Sequence, residues 1–237
     1  MTPTPSSDLF GLLLAVATII VVWQLPYGPQ VLYPLSLLAT FAHELGHGLA
    51  ALLAGEEFEY LLLHADGSGL AAWRGDPGRL ARAAIASGGL LGPSIAGVSL
   101  LLLARSPRRV RVLLVVLAAG LALSVLMWVR NLFGIAFLLA TAAVLAAGAR
   151  WLGDAAASFG LRLLTAVLCL SWFRDLDYMF SARAVVAGVV HPSDSAVIAD
   201  ALWLPYWFWG ALVGALSLAL LLFGLWAVAP PKRSDSA

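Results

Sequence analysis

Long apolar runs, each about the length of a membrane span, recur along the whole chain. A helix needs about 20 mostly apolar residues to cross a bilayer, and we count seven such runs, at 9–25, 31–54, 80–104, 110–129, 132–149, 155–180 and 204–228. Because 62% of the residues are hydrophobic and only 11% are charged, no soluble domain of useful size fits between the runs. The sequence therefore predicts an all-α polytopic membrane protein with about six to seven transmembrane helices.

The spacing of these runs leaves room for one domain. We expect a single integral-membrane domain over residues 9–229, with disordered ends at 1–8 and 230–237, in a multi-pass protein of a bacterial plasma membrane. The net charge of +1 and the lack of a basic, aromatic-rich patch argue against a nucleic-acid partner. The environment to expect is the lipid bilayer. The single cysteine, Cys169, has no partner for an internal disulfide and is interpreted as a packing residue.

Three ionisable residues interrupt the second apolar run, at His43, Glu44 and His47. Residues four apart lie on one face of a helix, so the two imidazoles point to one place, as a zinc ion requires. In a His-Glu-x-x-His hydrolase the glutamate takes a proton from the metal-bound water. Without a partner, each of these side chains would be costly at membrane depth. The sequence predicts a zinc site on His43 and His47, with Glu44 as general base.

Residues 55–73, between the second and third runs, have the pattern of a short β-hairpin. Phe58, Tyr60 and Leu62 alternate with Glu57, Glu59 and Leu61. Asp66-Gly67 is typical of a tight turn. An edge strand beside a metal site could bind an extended substrate by strand addition. The alternative is a connecting loop packed on the membrane surface.

A catalytic zinc site commonly has three protein ligands and one open position, so a third ligand is needed. The sixth run holds an acidic pair, Asp175 and Asp177, embedded in apolar sequence. Asp175 and His43 lie at similar depths if both spans begin at the same face, which makes Asp175 the first choice and Asp177 the second. Arg174 could pair with whichever aspartate does not bind metal. The alternative is that all three form a charge cluster at a helix end.

Asp194 is a further alternative for the third ligand. It could approach the metal from a re-entrant segment. We favour a different interpretation, in which Ser193 or Asp194 caps a short helix through 198–202. His64 and His191 are interpreted as surface histidines rather than ligands.

Two further patterns are interpreted as structural. Gly46, Ala50 and Ala54 recur every four residues, which predicts that another helix approaches this face closely. Aromatic side chains gather before the last run, as in the aromatic belt of a membrane interface; they are Trp203, Tyr206, Trp207, Phe208 and Trp209.

Three segments together resemble the site-2 protease family of intramembrane zinc metallopeptidases, in its compact branch without a PDZ domain. They are His43-Glu44-Leu45-Gly46-His47-Gly48, the hairpin after it, and Ser87-Gly88-Gly89-Leu90-Leu91-Gly92-Pro93-Ser94. The resemblance extends over residues 35–140. It implies zinc-dependent hydrolysis of peptide bonds within the membrane, on a membrane protein or peptide substrate, with His43 and His47 as ligands and Glu44 as base.

The chain departs from the second signature of that family, an Asn-x-x-Pro stretch leading to an Asp-Gly pair whose aspartate is the third ligand. Here Asn131 begins the nearest match, Gly134 replaces the proline, and no Asp-Gly pair follows. The third ligand must come from elsewhere or be missing. Asn131 could still help to hold the substrate backbone, or bond to nearby backbone or Arg130.

The first hypothesis is therefore a zinc endopeptidase. The alternative is a catalytically inactive relative that binds or sequesters membrane partners. A transporter with a metal-binding pore is weaker, because the spans show no internal repeat.

Overall fold

The computed structural model of the chain describes residues 5–229. The terminal residues predicted to be disordered fall partly outside this range, at 1–4 and 230–237. The described elements follow in the order α1 (Pro5–Trp23), α2 (Gly28–Leu53), β1 (Glu57–Leu63), β2 (Gly69–Arg74), α3 (Arg79–Leu103), α4 (Pro107–Met127), α5 (Leu132–Trp151), α6 (Asp154–Arg174), α7 (Leu176–Met179), β3 (Arg183–Val186), β4 (Val189–Pro192), α8 (Asp194–Leu202) and α9 (Tyr206–Val228).

Five of the described helices, α3, α4, α5, α6 and α9, are long and apolar enough to cross a membrane, and α1 contains a shorter apolar segment, Gly11–Trp23. Helix α2 has 26 residues, but its ionisable motif lowers its hydropathy below that of the five. The prediction of a mostly helical membrane protein with about six to seven spans is confirmed. Helices α4, α5 and α9 expose large apolar side chains such as Val115, Val144 and Phe223, as a lipid-facing surface requires.

Helix α3 lies at the centre of the bundle and packs against α2, α6, α8 and α9. It approaches α2 closely because both helices present small residues where they cross. A Cβ atom added at Gly46 would lie 2.2 Å from the carbonyl oxygen of Gly88, and one added at Gly88 would lie 2.6 Å from the Cβ of Ala50. The close approach predicted from Gly46 and Ala50 is therefore observed, and α3 is the partner.

Strands β1 and β2 form the predicted hairpin, antiparallel, with Leu61 opposite Ala71 and Leu63 opposite Gly69. Its turn is tied to α2, because the Tyr33 hydroxyl donates a hydrogen bond to the Ala65 carbonyl (2.9 Å) and Thr40 Oγ1 donates to the Gly67 carbonyl (3.0 Å). These contacts hold the hairpin over the helix that carries the His-Glu-x-x-His motif.

The outer edge of β1 is covered by the segment that joins α4 to α5. The Leu61 N–H donates to the Trp128 carbonyl (2.8 Å), and the Arg130 N–H donates to the Leu61 carbonyl (3.1 Å). One residue further on, the Asn131 side chain accepts a hydrogen bond from the Leu63 N–H and donates one to the Leu63 carbonyl. Strand β2 is therefore the edge of this sheet that remains open.

Strands β3 and β4 form a second hairpin, which the sequence analysis missed. Its two-residue turn is Ala187-Gly188, both at positive φ (48° and 80°), the conformation that suits the twist of paired strands. Helix α8 follows directly and is capped by Ser193, whose hydroxyl accepts a hydrogen bond from the Ala196 N–H. The predicted short capped helix is thus observed. Helix α6 ends at Arg174, several residues before the end expected for the sixth span.

Candidate metal centre

Three side chains meet in the interior of the bundle: His43 and His47 from α2, and Asp194 from the first turn of α8. The Nε2 atoms of the two histidines are 3.1 Å apart. Asp194 Oδ2 lies 3.0 Å from Nε2 of His43 and 3.3 Å from Nε2 of His47. Among the described residues, this is the one cluster of at least three possible metal-binding side chains whose ligand atoms lie close together.

The spacing of these three atoms suits a zinc ion. A tetrahedral zinc with bonds of roughly 2.0–2.1 Å separates its ligand atoms by about 3.3 Å, close to the observed 3.0–3.3 Å. Two imidazole nitrogens and one carboxylate oxygen form a common donor set of catalytic zinc sites, which leave the fourth position for water or substrate. The residues present therefore fit a zinc ion held by His43, His47 and Asp194.

The ring of His47 is fixed from behind by α3. Its Nδ1 atom lies 2.9 Å from the carbonyl oxygen of Ile85, which can only accept a hydrogen bond. Nδ1 therefore carries the proton, and the lone pair of Nε2 is left for a metal ion. Gly89 provides the space for the ring, since an added Cβ there would lie 2.1 Å from Nε2 of His47.

Helix α8 is held against the start of α3 by two arginines. Arg79 donates a hydrogen bond to the Ala201 carbonyl (2.8 Å) and stacks on the Trp203 ring at 3.6 Å. Arg82 pairs with Asp200 at 3.3 Å. These contacts anchor the far end of α8 and so keep its first residue, Asp194, in place beside the histidines.

Tyr178, in α7, holds the carboxylate of Asp194. Its hydroxyl donates a hydrogen bond to Asp194 Oδ2 (2.8 Å) and accepts one from the Asp194 N–H (3.2 Å). Burial and the adjacent carboxylate raise the pKa of Tyr178 above its usual value, so the phenol stays a donor. Burial also opposes ionisation of Asp194, but His47 and His43 in their protonated forms outweigh it and hold the pKa of Asp194 well below its usual range. A zinc ion bound in place of those protons would favour the carboxylate anion in the same way.

Glu44 is buried between α2 and β2. Its carboxylate lies next to the Ala71 N–H of β2. Gly69 lies directly against it, since an added Cβ there would be 2.5 Å from the Glu44 Cγ atom. The acidic residue of the motif thus lies at the junction between the metal-binding helix and the open edge of the hairpin.

A cavity of about 610 Å³ opens onto these residues. It is lined by residues 67–71 of the first hairpin, by residues 184–186 of the second, and by His43, Glu44, His47 and Asp194. A cavity of this size is in the range of substrate and ligand pockets.

Asp175, the first choice for the third ligand from the sequence, lies outside the three-residue cluster. It caps the C-terminal end of α6, and its carboxylate pairs with Arg174 at 3.1 Å, although both residues line the cavity. Asp177, the second choice, is exposed in α7. Asp175 therefore belongs to a charge pair with Arg174 at the end of α6, and Asp194 is the aspartate that lies beside the histidines.

The other candidate residues also have defined places. Asn131 lies on the outer edge of β1, where its amide oxygen and its amide nitrogen both hydrogen-bond to the backbone of Leu63. His64 follows β1 in the first hairpin, and His191 lies in β4 at the cavity wall. Neither histidine belongs to the metal-binding cluster. Tyr178, by contrast, was missed, because no sequence signal links it to Asp194.

Gly89→Ala is expected to lower zinc affinity at least about tenfold, the cost of disturbing the orientation of a metal ligand. The new methyl group would overlap His47 Nε2, so the ring must turn away. Gly120→Ala is the matched control, because an added Cβ there meets nothing within 4 Å. Zinc titration of both purified variants checks this, and equal affinities would contradict the role given to Gly89.

Comparison with known proteins gives one finding. A family model described as Peptidase M50B-like matches residues 12–224, a range that contains all three residues of the cluster and Glu44. No curated protein matches the chain, and no solved structure matches it.

Proposed function

This chain belongs to the site-2 protease family of membrane metallopeptidases, and we propose that it is a zinc-dependent endopeptidase that hydrolyses peptide bonds of membrane-embedded substrates. The observation that carries this proposal is the convergence of His43, His47 and Asp194, at spacings of 3.0–3.3 Å, beside the buried carboxylate of Glu44. A donor set of this kind next to a carboxylate is the arrangement that metal-assisted hydrolysis requires.

In this proposal His43, His47 and Asp194 hold the zinc ion. Asp194 takes the part that the sequence analysis gave first to Asp175, and the contacts of Tyr178 and Ser193 keep it in place. A zinc ion bound there would act as a Lewis acid on the substrate carbonyl and on the attacking water. The family is zinc-dependent, so zinc is the metal that we propose.

Glu44 is the general base. Its carboxylate faces the same cavity as the two histidines, and it can accept the proton of the attacking water and pass it to the leaving amine. The adjacent Ala71 N–H is placed to orient the carboxylate.

The substrate is an extended segment of a membrane protein or peptide. A peptide bond inside a helix is shielded by the helix's own hydrogen bonds, so the segment must unwind before it can be cut. The open edge of β2, next to Glu44, offers backbone groups to an unwound chain. Asn131 supports this edge indirectly, because its side chain is already bonded to Leu63. A bacterial plasma membrane as the location remains a prediction.

A second candidate function is that of a catalytically inactive family member that binds or sequesters membrane partners. The feature that favours it is the lost second signature, with Gly134 in place of the proline and no Asp-Gly pair after Asn131. The position of Asp194 weakens this alternative, since its carboxylate lies where the third ligand is needed.

Zinc removal tests the proposal. The purified protein is expected to carry about one zinc per chain and to cut some members of a panel of single-span peptides in detergent or proteoliposomes. Treatment with o-phenanthroline should abolish cleavage, and added zinc should restore it, as followed by metal analysis and mass spectrometry of the products. Zinc bound at full stoichiometry without cleavage of any peptide would favour the inactive alternative.

A further inference from the structure

The second hairpin lines the same cavity as the first. Residues 184–186 of β3 and residues 67–71, which run from the turn of the first hairpin into β2, both line it. The tips of the two hairpins also touch, because the Ala187 N–H donates a hydrogen bond to Ser68 Oγ at 3.3 Å. Two short strands from distant parts of the chain thus line the cavity that contains the candidate metal ligands.

The pairing of β3 with β4 determines which of its backbone groups remain free. In a hairpin with a two-residue turn, the residues next to the turn form a hydrogen-bonded pair, and such pairs alternate with pairs whose groups point outward. Val186 pairs with Val189 beside the turn, and Val185 pairs with Val190. The N–H and C=O of Val185 therefore point away from β4, on the edge of the strand that lines the cavity.

The same rule identifies the backbone groups of β2 that point away from β1. Leu61 and Leu63 use their backbone groups on the far side of β1, so the residues opposite them, Ala71 and Gly69, point their N–H and C=O groups outward. The Ala71 N–H is directed towards Glu44, which agrees with this direction, so the Ala71 C=O and the backbone groups of Gly69 are the ones with which a substrate could pair. The cavity is therefore bordered by two strand edges that both carry outward-pointing backbone groups.

The outer edge of β4 differs from that of β3. Its outward-pointing residues are Val190 and Pro192, and proline has no N–H to donate. Of these two, Pro192 lines the cavity and Val190 does not. A proline on an edge strand is a common protection against unwanted strand pairing. The outer edge of β4 therefore offers fewer N–H donors for strand pairing than the edge of β3.

We propose that β3 is a second substrate-binding edge, so that the extended substrate segment lies between β2 and β3 and forms backbone hydrogen bonds with both. The inference rests on the proposed function for its claim that the ligand is a polypeptide. It adds a recognition element, the Arg183–Pro192 hairpin, that selects for an unwound backbone rather than for particular side chains. Two-sided pairing also holds the scissile bond more firmly than one edge could.

N-methylation of the substrate distinguishes pairing with one strand edge from pairing with two. A strand paired on one side uses the N–H groups of alternate residues, whereas a strand paired on both sides uses those of consecutive residues. The probe is a dye-labelled apolar decapeptide, N-methylated at one position at a time. Its binding to the full-length, zinc-loaded protein is read by stopped-flow anisotropy before turnover. We expect at least two consecutive positions to weaken binding, each by about three- to tenfold.

Sensitivity at alternate positions alone would overturn the proposal, as would a decapeptide that does not bind. Cleavage measured on the same samples separates this outcome from failure of the proposed function. If methylation weakens binding only at alternate positions and the peptide is cleaved, the proposed peptidase function stands and the second substrate-binding edge is ruled out. If methylation weakens binding at consecutive positions and no cleavage occurs, the second edge stands and the peptidase function is ruled out.

A pair of proline variants tests the same point on the protein. Val185→Pro removes the outward N–H on the cavity side, and Val190→Pro removes its counterpart on the opposite edge of the same residue pair. We expect Val185→Pro to raise the Kd of the unmethylated decapeptide about three- to tenfold and Val190→Pro to leave it unchanged, with equal zinc content in both. Equal Kd values would overturn the proposal, and the methylation series decides the question if either variant does not fold.

Discussion

Glu44→Gln is expected to keep its zinc and to lose cleavage by roughly 100- to 10,000-fold, the contribution of a positioned general base. Glutamine has nearly the same shape as glutamate, and its amide oxygen can take the place of a carboxylate oxygen beside the Ala71 N–H. It cannot take a proton from water. The substitution therefore removes the base and leaves the packing between α2 and β2 intact.

The measurement is zinc content together with the rate of peptide cleavage, on the same preparation. Glu57→Gln is the matched control, because Glu57 begins β1 and is exposed. It should match the unmodified protein in both readouts. A Glu44→Gln variant that cleaves at the normal rate would remove Glu44 from the mechanism, and one that loses its zinc would mean that Glu44 acts on the metal site itself.

The features that could be predicted from the sequence are those set by local order. His43 and His47 share a helix face whatever the rest of the chain does, because they lie one turn apart. The first hairpin is set by alternation and by its Asp66-Gly67 turn. The close approach at Gly46 follows from small residues at helical spacing, although the sequence could not say that Gly88 would lie opposite.

The proximity of Asp194 to the histidines could not be predicted, because it depends on packing between elements that are distant in sequence. Asp175 was preferred on an argument about depth within a full-length sixth span. Helix α6 instead ends at Arg174, and the chain turns through α7 and a hairpin before α8 begins. Docking of α8 on α3 then brings Asp194 to the histidines. A capping residue and a metal-ligand candidate have the same local pattern at the start of a short helix, so the sequence favoured the cap, and Ser193 supplies it.

The second hairpin did have a sequence signal, which was not used. Residues 185–190 read Val-Val-Ala-Gly-Val-Val, with β-branched residues placed symmetrically about a two-residue turn. This is typical of a hairpin, but Ala-Gly is a weaker turn signal than Asn-Gly or Asp-Gly. In an apolar chain such a segment is also easily taken for the end of a membrane span.

Asp194→Ala is expected to lose zinc that Asp175→Ala retains. Two histidines alone bind the ion too weakly. Loss of a residue that hydrogen-bonds to a metal ligand lowers metal affinity roughly 10- to 100-fold, and the zinc affinity of Asp194→Ala should fall by more than that. Tyr178→Phe removes such a hydrogen-bonding residue, and its loss of zinc affinity should lie within that range. Asp175 pairs with Arg174, and its removal leaves the three ligand atoms untouched.

Zinc titration of the three variants, with helical circular dichroism to verify folding, ranks them directly. The expected order of affinity is Asp175→Ala, equal to the unmodified protein, then Tyr178→Phe, then Asp194→Ala. The order matters more than any single value, because general destabilisation of the bundle would not separate a carboxylate at the end of α6 from one at the start of α8. If Asp175→Ala lost zinc and Asp194→Ala kept it, the depth argument from the sequence would be right, and the closeness of Asp194 to the histidines would have no role in metal binding.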